Sequence, residues 1–149
     1  MSDPVAPPSA VNPAELLRHF LGGVVDPELA PGGVVVGPAS DAQQQSGVVS
    51  IVHAGRPRDS LYTATKWARL NVRCVARTLF DASRLGHHVY LLLEGRGRTL
   101  VAQPSTGEEY LVHLFNMAAG PSDHYDSPET WESLLVVEML VGTDPVTPA

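Results

Sequence analysis

The change of period inside Trp67–Glu94 constrains this chain more than any other stretch. From Trp67 to Arg77 the residues alternate, with Leu70, Val72, Cys74 and Ala76 on one side and Arg69, Asn71, Arg73 and Arg77 on the other. A period of two predicts a strand with one buried and one wet face. At Thr78 the period changes. Thr78 and Asp81 stand three apart like a capping box, with an acid at the positive end of a helix. Behind them Ala82, Gly86, Val89 and Leu93, flanked by Leu85 and Leu92, recur at three- and four-residue steps, and Gly95 and Gly97 close the run. That spacing predicts a helix with one apolar stripe. A strand feeding such a helix buries both apolar faces against each other, which places the core here.

The chain is 149 residues long, the size of one domain that buries most of its apolar surface without staples. Its formal charge is −6, from 10 basic and 16 acidic residues. No dense basic face follows from that balance, so direct sequence-specific nucleic-acid binding is not expected. A single cysteine excludes an internal disulfide and a multi-cysteine metal site. Cys74, on the inward parity of the strand, reads as a buried inert thiol. No basic-then-apolar leader opens the sequence, and no apolar run approaches the ~18 residues of a membrane span. The expectation is a soluble protein made in a cytoplasm, without a membrane partner.

Around the central unit the order is legible. Residues 1–11 hold three prolines and read as a flexible arm. Asn12-Pro13 opens a helix with Leu16, Leu17, Phe20 and Leu21 on its apolar face, stopped by Gly22-Gly23. Prolines, glycines and the run Gln43–Gln45 fill residues 24–46, with Val34–Val36 as a short strand inside them. Val48–His53 is a strand, and Gly55–Ser60 a loop with Arg56 and Arg58 at its tip. Arg98–Ala102, Glu109–Met117 and Ser133–Val141 are strands, Gln103–Gly107 is a turn, and Gly120–Pro128 is a long polar connection. Residues 143–149 read as a flexible tail. The whole predicts a single α+β domain over 12–142: a mostly antiparallel sheet of four to five strands with two helices packed on one face. Glu109–Met117 and Leu134–Val141 are apolar on both faces, and two helices cover only one. Burying a large side chain stabilises by roughly 1.5–3 kcal/mol, so either the Val34 segment or another subunit should cover the second face.

No motif carries chemistry. Tyr62 and Lys66 match the Tyr-x-x-x-Lys pair of short-chain dehydrogenases, but no glycine-rich turn or βαβ unit precedes them. Asp123, His124 and Asp126 lie close together, yet a zinc site needs three or four converging ligands and a fixed outer shell, so a solvated turn is the expectation. His87 and His88, adjacent on a helix, point about a hundred degrees apart and cannot share an ion. No serine occupies a Gly-x-Ser-x-Gly elbow. Catalytic residues, cofactor and metal are all expected to be absent.

The order of elements resembles the tail terminator (minor capsid or neck) proteins of long-tailed bacteriophages. The likeness lies in the helix Ala14–Leu21, a strand, and the run Leu70–Leu93, in which Val72–Arg77 leads to Asp81-Ala82. The late segment from Gly120-Pro121 through Pro128-Glu129-Thr130-Trp131 into a last strand is also similar. The Gln-rich segment before the first strand has no counterpart in that pattern. The resemblance implies a ring, usually of six copies, that caps the tail tube, stops its polymerisation and joins it to the head connector. It implies no enzymatic activity, and a place in the virion neck after assembly in the host cytoplasm. Partners would be further copies, the tail tube protein and the head–tail connector or stopper. Two other readings stand beside it: another neck or tail component, such as a stopper or tube protein, and a small-molecule-binding α+β dimer.

A ring requires two different surfaces on each subunit. Arg69, Arg73 and Arg77 recur at four-residue steps and form a column about 27 Å long at ~3.4 Å per residue. Facing acids of a neighbouring copy, the column would fix the register of a ring; Asp123, Asp126, Glu129 and Glu132 are the candidates. Arg56, Arg58 and Trp131 complete the expected interface.

Overall fold

The computed structural model describes residues 11–55, 58–59, 64–127 and 129–146. Its elements are α1 (Pro13–Val24), β1 (Val34–Val36), α2 (Asp41–Ser46), β2 (Val48–His53), β3 (Arg58–Asp59), β4 (Thr65–Ala76), α3 (Leu79–Leu93), β5 (Thr99–Gln103), β6 (Glu108–Ser127) and β7 (Thr130–Gly142). The alternation that predicts β4 is the one observed: Leu70, Val72 and Cys74 are fully buried and Ala76 nearly so. Thr78 caps α3, its hydroxyl accepting from the Asp81 amide at 3.1 Å. The stripe beneath is Ala82, Leu85, Gly86, Val89 and Leu93. In α1, Asn12 caps and Pro13 takes the first helical position, where a missing N–H removes nothing. The helix continues through Gly22-Gly23 to Val24.

Six strands run in the order β1-β2-β4-β7-β6-β5, and β3 adds to β4 as a seventh. β1 pairs with β2 in parallel; the other ladders are antiparallel. The α+β class holds, but the sheet is mixed and larger than the expected four to five mostly antiparallel strands, and the described residues hold three helices where two were expected. Alternation reports burial and says nothing of pairing direction, so β1 carries no sign of its parallel partner. α2 lacks an apolar stripe because none of its residues is buried. A capping box between Ser40 and Gln43 holds it instead.

The largest departure is β6. Residues 120–127, expected as a polar connection, continue the strand and pair with β7 as far as Ser127↔Thr130. Register shifts interrupt this ladder between Val112 and Leu114, Met117 and Ala119, Ala119 and Ser122, and Tyr125 and Ser127. The first shift reverses the strand's facing: Tyr110, Val112 and Phe115 are buried together, and Leu114 turns outward. Bulges of this kind bend a strand and increase its twist. The sheet curls accordingly, and α1 touches both β1 and β5, which are opposite ends of the strand order.

One core fills the concave side, where Leu16, Leu17 and Leu21 of α1 and Leu85, Val89 and Leu93 of α3 meet the inner residues of the sheet. Phe20 stacks on Phe115 at 5.3 Å between centroids, with the Arg96 guanidinium 4.9 Å from the Phe20 centroid. Packing and hydrogen bonding extend to residues on either side of 12–142. Val11 is buried, and beyond β7 the Val146 amide donates to the Glu109 carbonyl at 2.8 Å. The rest of the expected arm and residues 147–149 of the tail lie outside the described residues.

Candidate functional site

On the convex face of the sheet the described elements stop short. Val48, Ser50 and Val75 share its parity through the β2–β4 register and are buried. The crossover between β1 and β2 covers them, and the Ser50 hydroxyl donates to the Gly37 carbonyl at 2.6 Å. Val34–Val36 is therefore an edge strand of the sheet, not its cover; the cover is the crossover that follows it. Past that point no further element among the described residues covers the face. Val52, Trp67, Leu134, Val136 and Leu140 lie on it in register across β2, β4 and β7, and Leu114 joins from β6. Trp67 is 42% exposed and Leu114 38%; the other four are half-buried.

At one end of this face is a cleft of about 500 Å³ lined by Ala54, Gly55, Arg58, Trp67, Ala68, Arg69 and Glu138. Arg69 stands opposite Glu138 across the ladder. Among the described residues neither Arg58 nor Arg69 forms a salt bridge. The cleft thus holds two uncommitted guanidiniums, one carboxylate and the indole of Trp67.

At the other end of the sheet the outer half of β6 is a rim, the arm, paired with the start of β7, which pairs in turn with β4; Asp123 and Tyr125 stand opposite Ser133 and Trp131, on the concave parity of Cys74 and Ala76. Every residue from Gly120 to Asp126 is exposed, and Tyr125, 61% exposed, meets Trp131 edge-on at 5.2 Å. The arm is tied to the sheet by Arg73, whose guanidinium donates to Asp126 at 3.1 Å and to Glu132 at 2.9 Å. Asp126 also accepts from the Thr130 hydroxyl at 3.3 Å. The hydrogen bond to Glu132 raises the Arg73 pKa, against the opposing pull of partial burial, so this cation is a fixed charge at any ordinary pH.

The expected arginine column does not survive as a unit. Arg73 is engaged by acids of its own chain. β4 ends at Ala76, so Arg77 falls beyond the strand. Arg69 alone keeps its free outward position, and Arg58 joins it across the cleft. Arg56 and Tyr62 lie outside the described residues. Asp126 and Glu132 are spent on Arg73, and Glu129 accepts from the Gln45 amide at 3.0 Å. Asp123 is exposed. His124 exchanges a 2.8 Å hydrogen bond with Ser122. Among the described residues no three His, Cys, Asp or Glu side chains converge to hold a metal ion. His88 accepts from the Asp26 amide at 3.1 Å, joining α3 to the end of α1, while His87 is exposed. No helix of the described residues is long and apolar enough to cross a membrane.

Glu138 and Tyr125 belong to these surfaces and were not legible as such. Glu138 interrupts an apolar strand, which is the signal that marks it. Tyr125 sits among turn-forming residues and gives none. Comparison with protein-family models, curated proteins and solved structures yields no match.

Proposed function

We propose that the protein is a non-catalytic assembly subunit, a tail-terminator component of a long-tailed bacteriophage. Copies form a homomeric ring, a hexamer in the form the resemblance implies. The ring caps the tail tube, stops its polymerisation and joins it to the head connector, taking its place in the virion neck after assembly in the host cytoplasm. The observation that carries this reading is the bare apolar stretch of the convex face around Trp67, Leu134, Val136 and Leu140. Leaving such side chains partly wet forgoes a share of the roughly 1.5–3 kcal/mol that full burial of each supplies, which a second protein surface recovers. A closed ring supplies that surface from the next copy, with the tube protein and connector meeting its two rims. No cofactor enters this function.

Negative-stain imaging of the purified chain tests it: rings of uniform diameter are expected, and adding them to growing tail tubes should arrest elongation. A chain that itself polymerises into long tubes is a tube protein, and a compact monomer or dimer overturns the assembly reading. The cleft beside Trp67 favours one rival, a small-molecule-binding dimer, since its volume falls within the roughly 300–1,000 Å³ of ligand pockets. That rival predicts a melting temperature that rises with ligand.

A further inference from the structure

Two sets of exposed groups on opposite faces of the sheet are complementary, Trp67 and Arg69 on the convex face and Asp123 and Tyr125 on the concave parity of Cys74 and Ala76, and they cannot meet within one chain. Trp67 faces Leu140 of β7 and Tyr125 faces Trp131. Those positions are separated by nine residues of one strand, about 30 Å at ~3.4 Å per residue. Arg69 faces Glu138 and Asp123 faces Ser133, five positions or about 17 Å apart, far beyond the reach of an ion pair. One set offers two guanidiniums without a salt bridge among the described residues and an exposed indole around a cleft; the other offers an exposed acid and an exposed phenol two residues apart on the outer half of β6. We propose that the β6–β7 arm of one copy seats in the Trp67 cleft of the next. Tyr125 packs against Trp67, and Asp123 pairs with Arg69 and Arg58.

The contact joins two different patches, so it is head-to-tail and propagates around a ring until the rotation closes. Arg73 serves it indirectly. By holding Asp126 and Glu132, it fixes the arm beside the β6–β7 turn and keeps those two acids out of the competition for the cleft. Glu138 limits the cleft to a small positive excess, which favours an occupant with a single acid over a polyanion. The inference rests on the assembly reading and names the surface by which copies join.

Charge exchange between copies tests it, read by sedimentation velocity of the full chain. The wild type should sediment as a closed oligomer. Arg69→Glu and Asp123→Arg should each weaken association at least about tenfold, since each replaces an attraction with a repulsion. Mixed in equal amounts they should restore the oligomer, because the reversed arm fits the reversed cleft and the native arm fits the native cleft. Arg58→Glu and Tyr125→Ala, at two further exposed positions, stand in for either variant if it fails to fold, with the same loss expected. The contact is overturned if a folded variant associates like the wild type, or if the mixture fails to recover. Wild-type rings together with indifferent variants would remove this contact and leave the assembly reading standing. A wild type that is monomeric at every concentration removes both.

Discussion

The closest approach between a helix and the sheet is at Gly86. A Cβ built there would lie 2.1 Å from Ser133 Oγ and 2.6 Å from Ser133 Cβ. Rotating the serine moves Oγ away but leaves the second clash, which is short of van der Waals contact by about 1 Å. In an open helix Gly→Ala gains about 1 kcal/mol. Here α3 must lift off β7 or the strand must yield, and overpacking of this kind costs about 1–3 kcal/mol or more. The steric term wins because both Gly86 and Ser133 are buried and neither has a free direction in which to move. Gly86→Ala should therefore destabilise by about 2 kcal/mol net, lowering the melting temperature by roughly 4–8 °C for a chain of this size. Urea unfolding should show the loss as a lower midpoint at constant slope. Ser133→Gly removes both clashing atoms. By itself it should cost about 1 kcal/mol as a strand glycine, yet in the Gly86→Ala background it should recover stability, a coupling of at least about 1 kcal/mol. An alanine variant as stable as the wild type, or a double variant that merely adds the two losses, would refute the seating of α3 on β7 described above.

Four further outcomes follow from neighbouring features. Ser133 Oγ is buried without a hydrogen-bond partner among the described residues, so Ser133→Ala should raise the unfolding free energy by about 1 kcal/mol, and a loss on urea titration would contradict that. Arg73→Ala leaves Asp126 and Glu132 facing each other; with side-chain exposures of 34%, 24% and 13%, the screened cost should be about 1 kcal/mol, greatest at low salt, and a salt-independent effect would argue against it. Burial raises the Cys74 pKa, so a disulfide reagent should label the thiol only after unfolding, and Cys74→Ser should cost about 1–3 kcal/mol; prompt labelling of native protein would place the residue elsewhere. Partial desolvation of this largely exposed ring, aided by the charge of Lys66, lowers the His53 pKa below 6.5. The unfolded chain then binds this proton first, so stability is whole above 6.5 and declines as pH falls from there towards the folded value. His53→Gln should flatten that part of the curve, and parallel midpoints for both proteins from about pH 8 to about pH 5 would count against it.

What the sequence disclosed tracks what one-sided burial writes into it. β4 and α3 were legible because each has a dry face and a wet one, which set the alternation around Leu70 and the stripe from Ala82 to Leu93. The outer half of β6 has no dry face, so nothing in Gly120–Asp126 alternates. Gly120, Pro121 and Asp123 are turn formers by local preference, and pairing with β7 overrides that preference. α2 is the same case for a helix, with its capping box written at Ser40 and Gln43 but no buried stripe to draw attention to it. Arg73 shows a different limit. Its outward facing was legible, but its partners lie 53 and 59 residues further on, and only the folded chain brings them together. The pairing of Arg73 with acids of its own chain was not foreseen for that reason. The bare convex face, by contrast, was visible as excess apolar residues on both sides of the last two strands.

The register shifts in β6 also bear on how crowded copies avoid sticking together wrongly. β5 pairs with β6 only along Glu108–Val112, so from Asn116 onward the outer rim of β6 has no strand beside it among the described residues. A straight rim of that length would template further strands and grow fibres. Here Pro121 withholds one amide, and successive bulges turn the remaining donors and acceptors out of line. The chain thereby keeps this open backbone from nucleating amyloid, while the side chains on its faces stay free.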